Sequence, residues 1–154
     1  MSEIEFVKPT VEMVKSIADS MRQADINEVW ASDNHTPLQA LMDGWEQSDY
    51  SSIAAYEDHP LVMFGLVKRD LLSGVGIIWM LGSNDALKYR RNFLTLTPLV
   101  IDEMLTICSR LTNMVHCKNR ESVRWLKWLG FTLDDPVPFG VEKELFHNFY
   151  IDRS

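Results

Sequence analysis

This 154-residue chain has little cysteine, no long apolar run and no excess of positive charge. Its two cysteines, Cys108 and Cys117, sit in apolar stretches without metal-ligand spacing. That excludes a disulfide scaffold and reads as free, buried thiols of a reducing compartment. No stretch approaches the roughly 20 apolar residues that span a bilayer, so no membrane partner is expected. The opening MSEIEFVKP is acidic and alternating, unlike a secretory leader. Lysine and arginine total 15 against 22 aspartates and glutamates, and the net charge of -7 opposes nonspecific nucleic-acid binding. No Ser-His-Asp, metal-ligand or P-loop arrangement stands out, and no repeat or linker interrupts the chain. What is present is globular composition, 46% apolar and 24% charged, of a length that suits a single domain over residues 1–154.

The periodicities alternate between helix and strand. Ile4 and Phe6 alternate with Glu3 and Glu5 and predict a first strand that Pro9 ends. Thr10 is an N-cap for an apolar stripe of Val11, Val14, Ile17, Ala18 and Met21. Asp25 with Glu28 has capping-box form and predicts a short helix through Trp30. Thr36-Pro37 with Gln39 caps another helix that carries Leu38, Leu41, Met42 and Trp45. Strands follow at 51–56, 61–68 and 75–81, separated by turns at 58–60 and 70–74; the last, VGIIWML, reads as a covered central strand. A basic helical stretch covers 84–94, and Thr97-Pro98 starts a separate helix with Ile101, Met104, Leu105 and Cys108 on one face. A loop at 134–140 and a final strand at 145–151 complete the chain; that strand is a candidate homodimer element. Trp30, Trp45, Trp79 and Phe64 stand at core spacing.

The most informative stretch runs from Thr112 to Asp134. A strand, 112–117, leads to Asn119 at an N-cap position. Ser122, Val123, Leu126 and Leu129 then recur on one helical face opposite Arg120, Arg124 and Lys127, and Gly130 supplies the stop before a strand from Phe131. Asn119, Ser122 and Leu129-Gly130-Phe131 together resemble the last helical motif of the GNAT acyltransferases. The stretches ADINEVWAS, HTPLQAL, PLVMFGL, WML and LTNMVHCKN resemble, more narrowly, the short GNAT-like proteins of tailed bacteriophages grouped with a podovirus internal virion protein.

The resemblance implies an α/β sandwich of GNAT type, with a mixed, mostly antiparallel sheet flanked by helices. It implies acetyl-CoA as donor and an amine as acceptor, in the cytoplasm of a bacterial host or in a virion. Cofactor contacts would come from the backbone of Met80, Leu81 and Gly82, and from Ser83, Arg90, Arg91 and Asn119. The base would be His116 or Glu57. The family's catalytic Tyr falls on Leu126, and GSNDALKYRRNF after the fourth strand lacks its Gly-x-Gly phosphate loop. A second expectation therefore stands beside the enzyme: a GNAT-fold protein without catalysis that binds a host or virion protein.

Overall fold

The computed structural model describes residues 3–70 and 72–154. Met1 and Ser2 of the acidic opening, and Leu71 in the turn expected at 70–74, lie outside the described residues. In chain order the elements are β1 (Ile4–Val7), α1 (Val11–Asp19), α2 (Gln23–Asp33), α3 (Pro37–Gln47), β2 (Tyr50–Tyr56), β3 (His59–Lys68) and β4 (Val75–Gly82). A 3₁₀ segment (Asn84–Tyr89) then runs into α4 (Arg90–Ile107), followed by β5 (Arg110–His116), α5 (Arg120–Trp128), β6 (Thr132–Leu133), β7 (Val137–Phe139) and β8 (Glu144–Asp152). The strands form one sheet in the order β1-β2-β3-β4-β5-β8-β6, with β7 also on β8. Every pairing is antiparallel except β4 with β5.

Alternation along the strands divides the core. Met63 and Leu81 face α1 and α3 and pack on Val14, Ile17 and Leu41, all buried. Leu66, Ile78, Leu111 and Phe149 face α4 and α5 and enclose Ile101, Val123 and Leu126. Each helix buries the stripe that its spacing marks. Local signals also set two helix starts: Thr10 Oγ1 accepts from Met13 N–H, and Thr36 with Gln39 forms the reciprocal capping box ahead of Pro37.

Three expectations are corrected. First, Thr97-Pro98 does not start a helix, because α4 runs unbroken through Pro98. The ring removes the amide that would bond the Leu94 carbonyl, and Leu94 is exposed, so water can replace it. Second, α2 begins at Gln23, with Arg22 as its N-cap, so Asp25 and Glu28 are interior to the helix and make no box. Third, Asn119 occupies the N-cap position of α5 but makes no side-chain cap bond. In both cases long-range partners stand in place of local ones: Asp25 and Glu28 accept from the Gly82 and His116 amides, and Asn119 Nδ2 donates to the two carboxylates. The loop expected at 134–140 also contains β7, and Phe131 leads into a strand of only two residues.

Gly140 closes the β7–β8 turn at φ +80°, against the end of α2. Val141 N–H donates to Ser32 O and Glu142 N–H to Ala31 O. A Cβ at Gly140 would lie 2.6 Å from Ser32 Cα and 2.7 Å from its carbonyl oxygen, backbone that cannot give way. Gly140→Ala is therefore expected to lower stability by about 1–3 kcal/mol, read from the urea midpoint.

Candidate active site

The site begins where the two parallel strands part. β4 and β5 pair only at Val75 with Arg110, Gly76 with Leu111 and Ile77 with Thr112, and then diverge over their remaining lengths. Such a split leaves backbone amides and carbonyls on two facing edges without partners, which a buried site must replace. Side chains do so at three places. Asn113 Nδ2 donates to Ile78 O at 2.6 Å, where the gap opens. At the far end of β4, Gly82 N–H donates to Asp25 Oδ2 at 3.1 Å, and Gly82 O accepts from Arg22 N–H at 3.0 Å. At the far end of β5, His116 N–H donates to Glu28 Oε1 at 2.8 Å. Alternation turns the Met80 backbone, midway along the gap, toward the space between the strands.

Asp25 and Glu28, one turn apart on α2, thus hold one strand each. Asn119 joins them, its Nδ2 lying 3.2 Å from Asp25 Oδ1 and 3.4 Å from Glu28 Oε1. Asp25 is 3% exposed and Asn119 1% exposed. Burial pushes the Asp25 carboxyl above its usual range, against the opposing Arg22 charge at 3.2 Å and the Gly82 and Asn119 hydrogen bonds. Burial and then the neighbouring Asp25 charge push Glu28 up to about 7; hydrogen bonds from His116 N–H and Asn119, with the Arg22 charge, hold it from rising further.

Two cavities meet at this point. One, of about 390 Å³, lies between the end of β4, the start of α4 and α5, and is bordered by Arg22, Arg90 and Arg124 with Met80, Phe93 and Trp125. The other, of about 370 Å³, passes through the gap between the strands; on the α2–α3 side its walls include Glu28, Asp33, Asp43, Trp79, Met114 and Phe146. Asp25, Met80, Ser122 and Trp125 border both. Three arginines and two carboxylates, Asp25 and Glu121, edge the first chamber, and the charged side chains of the second are carboxylates apart from His35.

The residues singled out in the sequence divide accordingly. Met80 faces the gap, while Leu81 packs into the core under α1 and α3. The Gly82 amide is held by Asp25. Ser83 is wholly enclosed, its N–H on Leu61 O and its Oγ without a partner among the described residues. Arg90 borders the first cavity, and Arg91 is exposed on the same turn. Asn119 lies in the carboxylate network. His116 is 3% exposed and turns its ring away from the cavities: Nε2 is 2.8 Å from Glu144 Oε1, and the ring packs on Phe146. Glu57 is exposed on the β2–β3 hairpin at φ +54°, with β3 and β4 between its strand and that of His116. Leu126, where the resemblance would put a Tyr, is half-buried and packs against the core under α4 and α5.

The sequence reading missed Asp25 and Glu28 as site residues, along with Arg22 and Trp125. Carboxylates spaced i, i+3 also suit a capping box, and the discriminating signal was weak: the apolar Ala24, Ile26 and Val29 around them place both on an inward face. Among the described residues no group of three or more His, Cys, Asp or Glu has metal-binding form, and no helix is long and apolar enough to cross a membrane.

The raised Glu28 value sets a pH dependence. The folded state takes up a proton between the ordinary carboxylate range and about pH 7, where the unfolded chain is already ionised. Stability is therefore fullest at the acid end of that window and declines as pH rises through about 7, by an amount on the order of 3 kcal/mol. Glu28→Gln is expected to flatten this decline. Urea unfolding at several pH values across the window checks it; a wild-type curve as flat as that of the variant would contradict the assignment.

Comparison with known proteins adds the fold's kinship. No family model and no curated protein sequence matches the chain. Solved structures do. Spermidine N-acetyltransferase from Vibrio cholerae, in complex with CoA and spermine, superposes with a TM-score of 0.72 at 12% identity, over 97% of this chain and 95% of that one. A GCN5-related N-acetyltransferase from Kribbella flavida gives 0.72 at 15% identity, over 97% and 98%. A Bacillus subtilis acetyltransferase in complex with CoA gives 0.66 at 11% identity, over the full length of both. The mostly antiparallel mixed sheet and its flanking helices match the GNAT acetyltransferase fold.

Proposed function

We propose that the protein is an acyl-CoA-dependent N-acyltransferase that moves an acetyl group from acetyl-CoA to an amine. The observation that carries this reading is the parting of β4 and β5 after three paired positions, with the Met80 backbone facing the gap and two cavities meeting there. An extended pantetheine arm needs such an unpaired strand edge, and the thioester carbonyl needs a backbone N–H to polarise it. Met80 offers both. The likeness to acetyltransferases crystallised with CoA supports the same placement.

The phosphates would be held differently from the family's pattern. The 3₁₀ segment runs directly into α4, and Arg90 N–H already bonds Leu87 O. The helix start is thus not an open cradle of amides. Arg90 and Arg124 at the rim, with Arg22 deeper in the cavity, supply charge instead. Asp85 would oppose an anion there, but Lys88 at 3.2 Å and His59 at 2.9 Å pair with it. The narrower sequence resemblance supports a phage origin, with action in the bacterial cytoplasm or the virion.

The second reading, a GNAT-fold protein that binds a host or virion protein without catalysis, is favoured by one observation. Arg22 Nη2 reaches Glu121 Oε2 at 3.3 Å, and both side chains border the first cavity, so an ion pair crosses the channel that the pantetheine would use. An exposed pair of this kind is worth about 0–1 kcal/mol, little enough for a ligand to displace.

Calorimetric titration with acetyl-CoA separates the two readings. Micromolar binding, weakened about tenfold by Arg90→Ala through loss of a charge-assisted contact, is the expected result. Absence of heat up to millimolar acetyl-CoA would leave the second reading.

A further inference from the structure

The cavity that passes through the gap between β4 and β5 continues on the other face of the sheet, beneath α4 and α5, and its walls change there. Among the described residues, every charged or histidine side chain that lines it comes from residues 25–43: Asp25, Glu28, Asp33, His35 and Asp43. The α4–α5 side is lined instead by Phe64 and Ile78 from the sheet, Leu96, Val100 and Met104 from α4, and Leu126 from α5. Strand alternation accounts for the change, because Phe64, Ile78 and Met80 share the face opposite to that of Met63, Trp79 and Leu81. The polar side chains on this side are Thr97, Asn113, Ser122 and the Trp125 indole. Asn113 is already occupied with backbone, its Nδ2 donating to Ile78 O at 2.6 Å and its Oδ1 accepting from Met114 N–H at 2.7 Å.

This chamber also has length. Met80 on β4 borders it at the gap, and Phe6 on β1 borders it three strands away, where its ring meets Phe64 edge-on at 5.6 Å. Three strand spacings are about 14 Å. An extended chain advances roughly 1.2 Å per bond, so about a dozen bonds cross that distance. Acetyl places a single methyl group beyond its carbonyl and leaves such a space unfilled. Apolar walls give water few partners, and lining atoms without neighbours forfeit dispersion contacts.

We infer that the chamber takes the hydrocarbon chain of an acyl-CoA longer than acetyl, with an acyl group of about six to eight carbons. The inference rests on the acyltransferase reading and deepens it by naming the acyl class that the donor side accepts. The chamber is continuous with the gap in which the Met80 backbone would polarise the thioester carbonyl, so a chain leaving that carbonyl runs on beneath α4. Leu126 keeps the wall apolar where a Tyr would add a hydroxyl. The same walls disfavour an acyl group that ends in a charge, which would lose water there without gaining a partner.

Calorimetric titration with acetyl-, hexanoyl- and octanoyl-CoA tests this on the wild type, Val100→Phe and Leu96→Phe, with thermal melts confirming that each variant is folded. Burial of one methylene raises affinity by at most about fourfold, and ordering the chain removes part of that gain. Octanoyl-CoA is therefore expected to bind about thirtyfold more tightly than acetyl-CoA, with hexanoyl-CoA between them. A phenyl ring at position 100 or 96 shortens the space, and the octanoyl preference is expected to fall about fivefold in either variant. Equal affinity for acetyl- and octanoyl-CoA in the wild type overturns the inference and keeps the acyltransferase reading. A preference unchanged in both variants does the same, because the chain then binds elsewhere. Should neither variant fold, tetradecanoyl-CoA decides: an undiminished gain per carbon beyond the reach of the chamber overturns the inference, and a gain that levels off supports it. Binding of none of the thioesters overturns the inference together with the acyltransferase reading.

Discussion

Two inward-facing carboxylates of α2, Asp25 buried and Glu28 half-buried, bridge the ends of the parted strands. Once β4 and β5 separate, the amides of Gly82 and His116 face inward with no strand to accept them, and α2 brings Asp25 and Glu28 to those positions. The need is mutual. An unpartnered buried N–H is costly, and a buried carboxylate without donors is costlier still. Each therefore satisfies the other, with Asn119 tying the two acids together from the start of α5. Four elements distant in sequence are locked by one network, and the cleft persists because closing it would strand these groups.

The same network separates charge across the cleft. Arg22, Arg90 and Arg124 border the chamber beside α4, whereas Glu28, Asp33 and Asp43 line the chamber beside α3. The two cavities meet beside Met80.

Much of the fold was legible from local rules. Thr10 and Thr36 mark helix starts because their side chains bond amides three residues on, which needs no distant partner. The stripes of α1 and α4 and the apolar run of β4 indicate burial for the same reason. The motif from Asn119 to Phe131 pointed to the GNAT fold, and the likeness of the whole chain to solved acetyltransferases supports that architecture. Pro98 shows where a local rule misleads. A proline after threonine suits a helix start, but packing of Phe93 and Ile101 on the sheet from either side carries α4 through it.

The site was much less legible, and Asp25, Glu28 and Asn119 show why. Each has a correct local role in isolation, acid of a capping box or N-cap, and each abandons it. The alternative partners lie 57 and 88 residues away for the two acids and 94 for Asn119, separations at which no spacing rule applies. By itself the sequence determined most of the elements and their buried faces, since these follow from periodicity and short-range hydrogen bonding, while the family of folds came from the resemblance of the stretch around Asn119 to Phe131. Only the tertiary structure decided which polar groups meet inside, because burial removes water as a partner and leaves each acid to the donors that the fold brings to it.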